Sequence, residues 1–183
     1  MRSLTLAAGI MALIGPLSAA DGAVLTVGGP LSRLCYESAL SRDGRSLAVE
    51  GCTRALQEEG LLAPDRAATY VNRGILHMVA GHGTLADADF NAALSLDRDL
   101  SDAWLNKGFL RIREGKGRDA LPLLQQGIDR GVRRQALAYF ARGVAYEQMG
   151  EFRSAYKDIK RARDMEPGWS LPNQYLSSYV VRR

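Results

Sequence analysis

Three stretches of the chain carry one pattern at a near-constant spacing. Glycines at 74, 108 and 143, in YVNRG, WLNKG and YFARG, are separated by steps of 34 and 35 residues. An aromatic residue stands four positions before each (Tyr70, Trp104, Tyr139), and a second glycine seven positions after (Gly81, Gly115, Gly150). Alanine follows twelve positions after the first glycine (Ala86, Ala120, Ala155). Then come an apolar residue (Phe90, Leu124, Ile159) and a small one (Ala93, Gly127, Ala162). Each unit thus offers an apolar stripe at helical spacing that it cannot bury alone, so like units must stack. Small residues at the crossing points let two helices approach closely. The second glycine can take the positive φ that ends the first helix.

Over residues 67 to 169 this pattern resembles the tetratricopeptide repeat family, whose unit is a helix–turn–helix of about 34 residues. Arg73, Lys107 and Arg142 stand where the family often has leucine. A long basic side chain can bury its stem and keep its head in water, so the substitution is compatible with the fold. Pro167 closes the third unit, whereas the first two carry Arg98 and Val132 there. The resemblance implies an all-α fold, a short right-handed solenoid of antiparallel helix pairs. Residues 31 to 60 read as a degenerate unit before the three good ones. Ala48, Cys52 and Ala55 keep the spacing, Tyr36 replaces the glycine, and Asp43-Gly44 marks the turn. Residues 21 to 30 read as an extended lead-in, with Pro30 suited to a helix start. The chain from 168 to 183 is expected to form a capping helix, its body at 170–183. Its apolar face would be Leu171, Tyr175, Leu176, Tyr179 and Val180, covering the last exposed face of the stack.

Residues 1–20 have the form of a secretory signal peptide: Arg2, an apolar run from Leu4 to Ile14, Gly15-Pro16, and small residues for cleavage after Ala20. The competing reading is a buried N-terminal helix. Export implies a periplasmic chain, or else a fully secreted one, and no later segment is apolar enough to be membrane-embedded. The formal charge is +4 with acidic and basic residues interspersed, and no basic block is paired with exposed aromatics. That argues against nucleic acid as a partner.

The two cysteines, Cys35 and Cys52, fall on the two facing helices of the degenerate unit. In an oxidising compartment they are expected to form a disulfide; two separate buried thiols are the alternative. The two histidines, His77 and His82, do not share a helix face, and no cysteine or acidic cluster completes a metal set. His77 falls at a packing position. Acidic residues such as Asp87, Asp89 and Glu151 read as a solvated face. No nucleophile elbow, phosphate loop or carboxylate pair is present, so neither catalytic residues nor a cofactor is expected.

Asn72 and Asn106 occupy the same position in consecutive units, two residues before the aligned glycine; Ala141 breaks the series. In the family this position points into the concave groove. An amide there can hold a peptide backbone, because it offers both donor and acceptor. Val71, Leu105, Phe109 and Phe140 would flank it as apolar groove residues, with Asp102 and Arg113 near the rim. The alternative is that both amides bond within the scaffold. The leading expectation is a non-enzymatic module that holds a protein or peptide segment in this groove. The second is a structural or assembly subunit of an envelope complex that uses the convex face or the ends; an enzyme ranks below both. Oligomeric state does not follow from the pattern.

Overall fold

A computed structural model describes residues 3–6, 22–26 and 28–182 of the chain. Most of the expected signal peptide lies outside the described residues. The exception is Ser3–Leu6, a short strand (β1) paired antiparallel with Tyr179–Arg182 (β2). The rest is helical: α1 (Pro30–Ser41), α2 (Ser46–Glu58), α3 (Ala63–Val79), α4 (Gly83–Leu96), α5 (Ser101–Arg113), α6 (Gly117–Asp129), α7 (Gln135–Gln148), α8 (Phe152–Met165) and α9 (Ser170–Ser177). Consecutive helices pair as hairpins and the hairpins stack, giving a tetratricopeptide-like α-solenoid.

One contact recurs in each regular hairpin. A Cβ added at Gly74 would lie 2.6 Å from the Phe90 ring, at Gly108 2.5 Å from Leu124 Cδ2, and at Gly143 2.6 Å from Ile159 Cγ1. No larger residue fits at these crossings unless the hairpin opens. At the far end of the first helix of each pair, Gly81, Gly115 and Gly150 have φ of +82°, +73° and +74°. In the first hairpin Arg42 takes the left-handed conformation instead, at φ 57°. The positive-φ turn residue there precedes the Asp43-Gly44 pair marked by the sequence.

The first hairpin also inverts the packing. Tyr36 stands at the glycine position and the smaller Cys52 stands where the next unit has Phe90. Cys52 is joined to Cys35 across the pair, with Cα atoms 4.8 Å apart. A covalent link thus takes the place of the glycine–apolar contact. In the first turn of α1, the Leu31 and Ser32 backbone N–H groups donate to the Glu59 carboxylate at 2.7 and 3.0 Å. It satisfies the open helix N-terminus from another element.

The basic residues at the leucine position do not keep their heads in water. Arg73 grips Asp89 with two hydrogen bonds of 2.9 and 2.7 Å and reaches Thr53 of the preceding hairpin at 3.1 Å. Arg142 grips Asp158 at 2.6 and 2.9 Å and reaches Gln125 of its preceding hairpin. The carboxylates are buried, their side chains 6 % and 11 % exposed, so Asp89 belongs to the interior and not to a solvated face. In the middle unit the equivalent of these aspartates is Leu123, and Lys107 turns instead to Asn91 and Asp87 of the unit before. Each bidentate arginine therefore ties its own hairpin to its predecessor.

The C-terminal helix is shorter than expected. It stops at Ser177, and Tyr179–Arg182 runs as a strand. Tyr175 and Trp169 pack on Phe140, with ring centroids 4.9 and 5.0 Å away. Tyr179 donates to the Glu147 carboxylate at 3.0 Å. Burial raises the Glu147 carboxyl above its ordinary range. Burial, with the Glu147 charge behind it, pushes the Tyr175 phenol up to about 12.

Two outcomes follow. Arg142→Leu strands a buried carboxylate and should cost about 3 kcal/mol. The double change Arg142→Leu with Asp158→Leu should recover most of that loss. Urea melts of the two variants decide it, and equal destabilisation would mean the pair is not a unit. Cys52→Ser should loosen residues 31–60 before the rest, with a loss of about 3 kcal/mol for a loop of this size. Hydrogen exchange resolved along the chain reads this directly; uniform loosening of all hairpins would contradict it.

Candidate groove site

The first helices of the three regular hairpins, α3, α5 and α7, carry the residues expected in the groove. Val71, Leu105, Phe109 and Phe140 are there, but each is at most 1 % exposed and belongs to one continuous core. They are not an open apolar floor. Phe140 is covered by Trp169 and Tyr175. Asn72 and Asn106 are likewise fully buried.

What the two amides hold is the chain's own lead-in. Asn72 Oδ1 accepts from the Val24 N–H at 2.8 Å, and Asn72 Nδ2 donates to the Val24 carbonyl at 2.8 Å. A residue presents its N–H and C=O side by side in this way when its backbone is locally extended, as in an antiparallel pair. Asn72 thus acts as a one-residue strand partner. Asn106 Nδ2 donates to the Gly22 carbonyl at 3.0 Å and to the Asp102 carbonyl of its own helix at 2.8 Å. The structure thus shows the alternative arrangement, in which both amides bond within the chain's own scaffold.

Three further residues complete the site, and the repeat pattern pointed to none of them in this role. Gly22 has no room for a side chain, since a Cβ there would lie 2.5 Å from both terminal atoms of the Asn106 amide. Arg133, in the turn before α7, reaches the Ala23 carbonyl at 3.5 Å. Asp102, expected at the rim, is partly buried. Desolvation raises its carboxyl pKa, and the Arg133 charge opposes that rise. Ala23 and Thr26 are buried, whereas Leu25 is 59 % exposed. Two polar atoms in this region, Asn106 Oδ1 and Thr26 Oγ1, are buried without a hydrogen-bond partner among the described residues.

The remaining sequence candidates do not converge on the groove. His77 lies 3.9 Å from Asp89, its Nδ1 is unpartnered among the described residues, and burial lowers its pKa. His82 stands 6.0 Å from it, ring to ring. Among the described residues no group of three His, Cys, Asp or Glu side chains is placed to hold a metal ion, and no helix is long and apolar enough to cross a membrane.

No family model matches the sequence, and no curated protein matches it significantly. Solved structures do resemble the fold. A MamA RS-1 ArsTM double mutant superposes with a TM-score of 0.64 at 21% identity, over 81% of this chain and 82% of that one. MamA 41-end from Desulfovibrio magneticus RS-1 gives 0.63 at 20% identity, over 81% and 82%. A further MamA crystal structure gives 0.63 at 20% identity, over 78% and 80%. At this identity the likeness is one of architecture, and it places the chain among helical-hairpin solenoids.

Proposed function

We propose that the chain is a non-enzymatic protein-interaction module that works outside the cytoplasm, in the bacterial envelope, and holds a peptide segment in its concave groove. The observation that carries this reading is the paired hydrogen bond between the Asn72 amide and the Val24 backbone. It is a backbone-reading contact, indifferent to the side chain it holds, set on the helix that lines the groove. Apolar neighbours exclude water from such a contact and strengthen it. The signal-like residues 1–20 and the disulfide between Cys35 and Cys52 support an oxidising, exported setting.

A second reading has its own observation. Leu34 on α1 and Leu47 on α2 are 52 % and 76 % exposed, at the end of the solenoid that begins the stack. An assembly subunit that docks through this end would cover them.

Capture of tagged protein from its envelope fraction separates the two. The double change Asn72→Ala with Asn106→Ala should remove the bound partner while helicity is retained. A lost contact that leaves a buried peptide group unpaired costs about 1–3 kcal/mol. Retention of the same partner by that variant, with its loss from Leu34→Glu combined with Leu47→Glu, would transfer the function to the end of the stack. Leu105→Glu is unsuited to the purpose. A charge at that fully buried position would unfold the hairpin before it tested the groove.

A further inference from the structure

The groove amides are already held by a segment of the chain itself. We infer that residues 22–26 are a tethered occupant of the groove, and that a partner's segment gains the amides by displacing them. This rests on the groove reading above.

Three features point to a ligand-like contact in place of ordinary packing. First, the hold is through backbone: Asn72 takes both polar groups of Val24, Asn106 takes the Gly22 carbonyl, and Arg133 faces the Ala23 carbonyl. Second, Asn106 Oδ1 and Thr26 Oγ1 stay buried without partners among the described residues. A segment that satisfied Asn106 Oδ1 would bind better, since an unpaired buried polar group is costly. Third, Leu25, the largest apolar side chain of the segment, points away from the groove far enough to be 59 % exposed.

The same contacts define what can replace the occupant. The site takes a locally extended chain with glycine against Asn106, where no Cβ fits, and a residue two positions later whose N–H and C=O both face Asn72. Proline is excluded at that second position, because it has no N–H. Only a short link joins Thr26 to the start of α1 at Pro30. A tether of that length holds its segment at an effective concentration on the order of millimolar. A partner's apparent affinity is then reduced by the fraction of time the groove stands open.

The test uses the full chain and a fluorescent peptide of the sequence DGAVLTVG as probe. Gly22→Leu drives a side chain into the Asn106 amide and should release the segment. Val24→Pro releases it independently by removing the N–H that Asn72 accepts. Both variants should bind the peptide about tenfold or more tightly than the unaltered chain does. The Val24 amide, which donates to Asn72, should be protected from exchange in the unaltered chain and should lose that protection in Gly22→Leu. Adding Asn72→Ala to either variant should abolish peptide binding. Equal affinity in the unaltered chain and both variants would overturn the tethered occupant and leave the groove reading standing. Absence of binding in variants whose segment is released would overturn both. Retained Val24 protection in Gly22→Leu would overturn the inference by showing that the Asn106 contact does not hold the segment. Val24 protection found only in a concentration-dependent dimer would assign the occupant to a second copy of the chain and overturn the intramolecular assignment.

Discussion

The architecture depends on the missing side chain at three helix crossings. Gly74, Gly108 and Gly143 each receive an apolar group of the facing helix at a distance no Cβ would tolerate. This close approach sets the spacing of the two helices in every regular hairpin. It thereby determines which faces remain for the next hairpin to cover. The alanines at the other crossings, Ala86, Ala120 and Ala155, are equally buried and extend the same condition along the pair. Leu124 and Ile159 fill the space that glycine leaves, so helix separation and core volume are fixed by one pair of residues per unit.

Where that pair is lost, another device appears. The first hairpin has Tyr36 and Cys52 in place of glycine and a large apolar residue, and a disulfide holds it closed. The arginine–aspartate pairs add a second kind of tie, from one hairpin to the one before. Their cost is the burial of two charged groups, offset by bidentate geometry and a third contact from each guanidinium. Arg73 and Arg142 also lie 5.5 and 5.1 Å above the rings of Tyr70 and Tyr139. The aromatic position and the basic position of the repeat thus work together.

The solenoid was legible from sequence because its determinants are local and repeat. A glycine, an aromatic and an alanine at fixed offsets report a helix crossing three times over. The arginine partners were half legible. Asp89 and Asp158 each lie fifteen positions after the aligned glycine, but Leu123 breaks the series, and a carboxylate on a polar helix resembles any solvated one. The groove amides were legible as a pair and their occupant was not. Val24 lies 48 residues from Asn72 and Gly22 lies 84 from Asn106. A five-residue stretch without periodicity gives no sign of where it docks. The early end of the last helix escaped for a related reason: Tyr179 is placed by its bond to Glu147 and by strand pairing, neither of which helical spacing encodes.

The path of the lead-in alters how the array holds together. A linear stack of repeats is coupled only between neighbours, so it frays from its ends and can melt in stages. Residues 22–24 touch α3, α5 and the turn before α7 at once, through contacts separated by 48, 84 and 110 residues in sequence. Such a strap closes the line into a loop of mutual dependence. The three regular hairpins are then expected to lose structure together, since the contacts that join them are of high sequence separation. Release of the strap should restore the linear array, which is coupled only between neighbours. Occupancy of two amides is thereby expected to couple the three regular hairpins to one another.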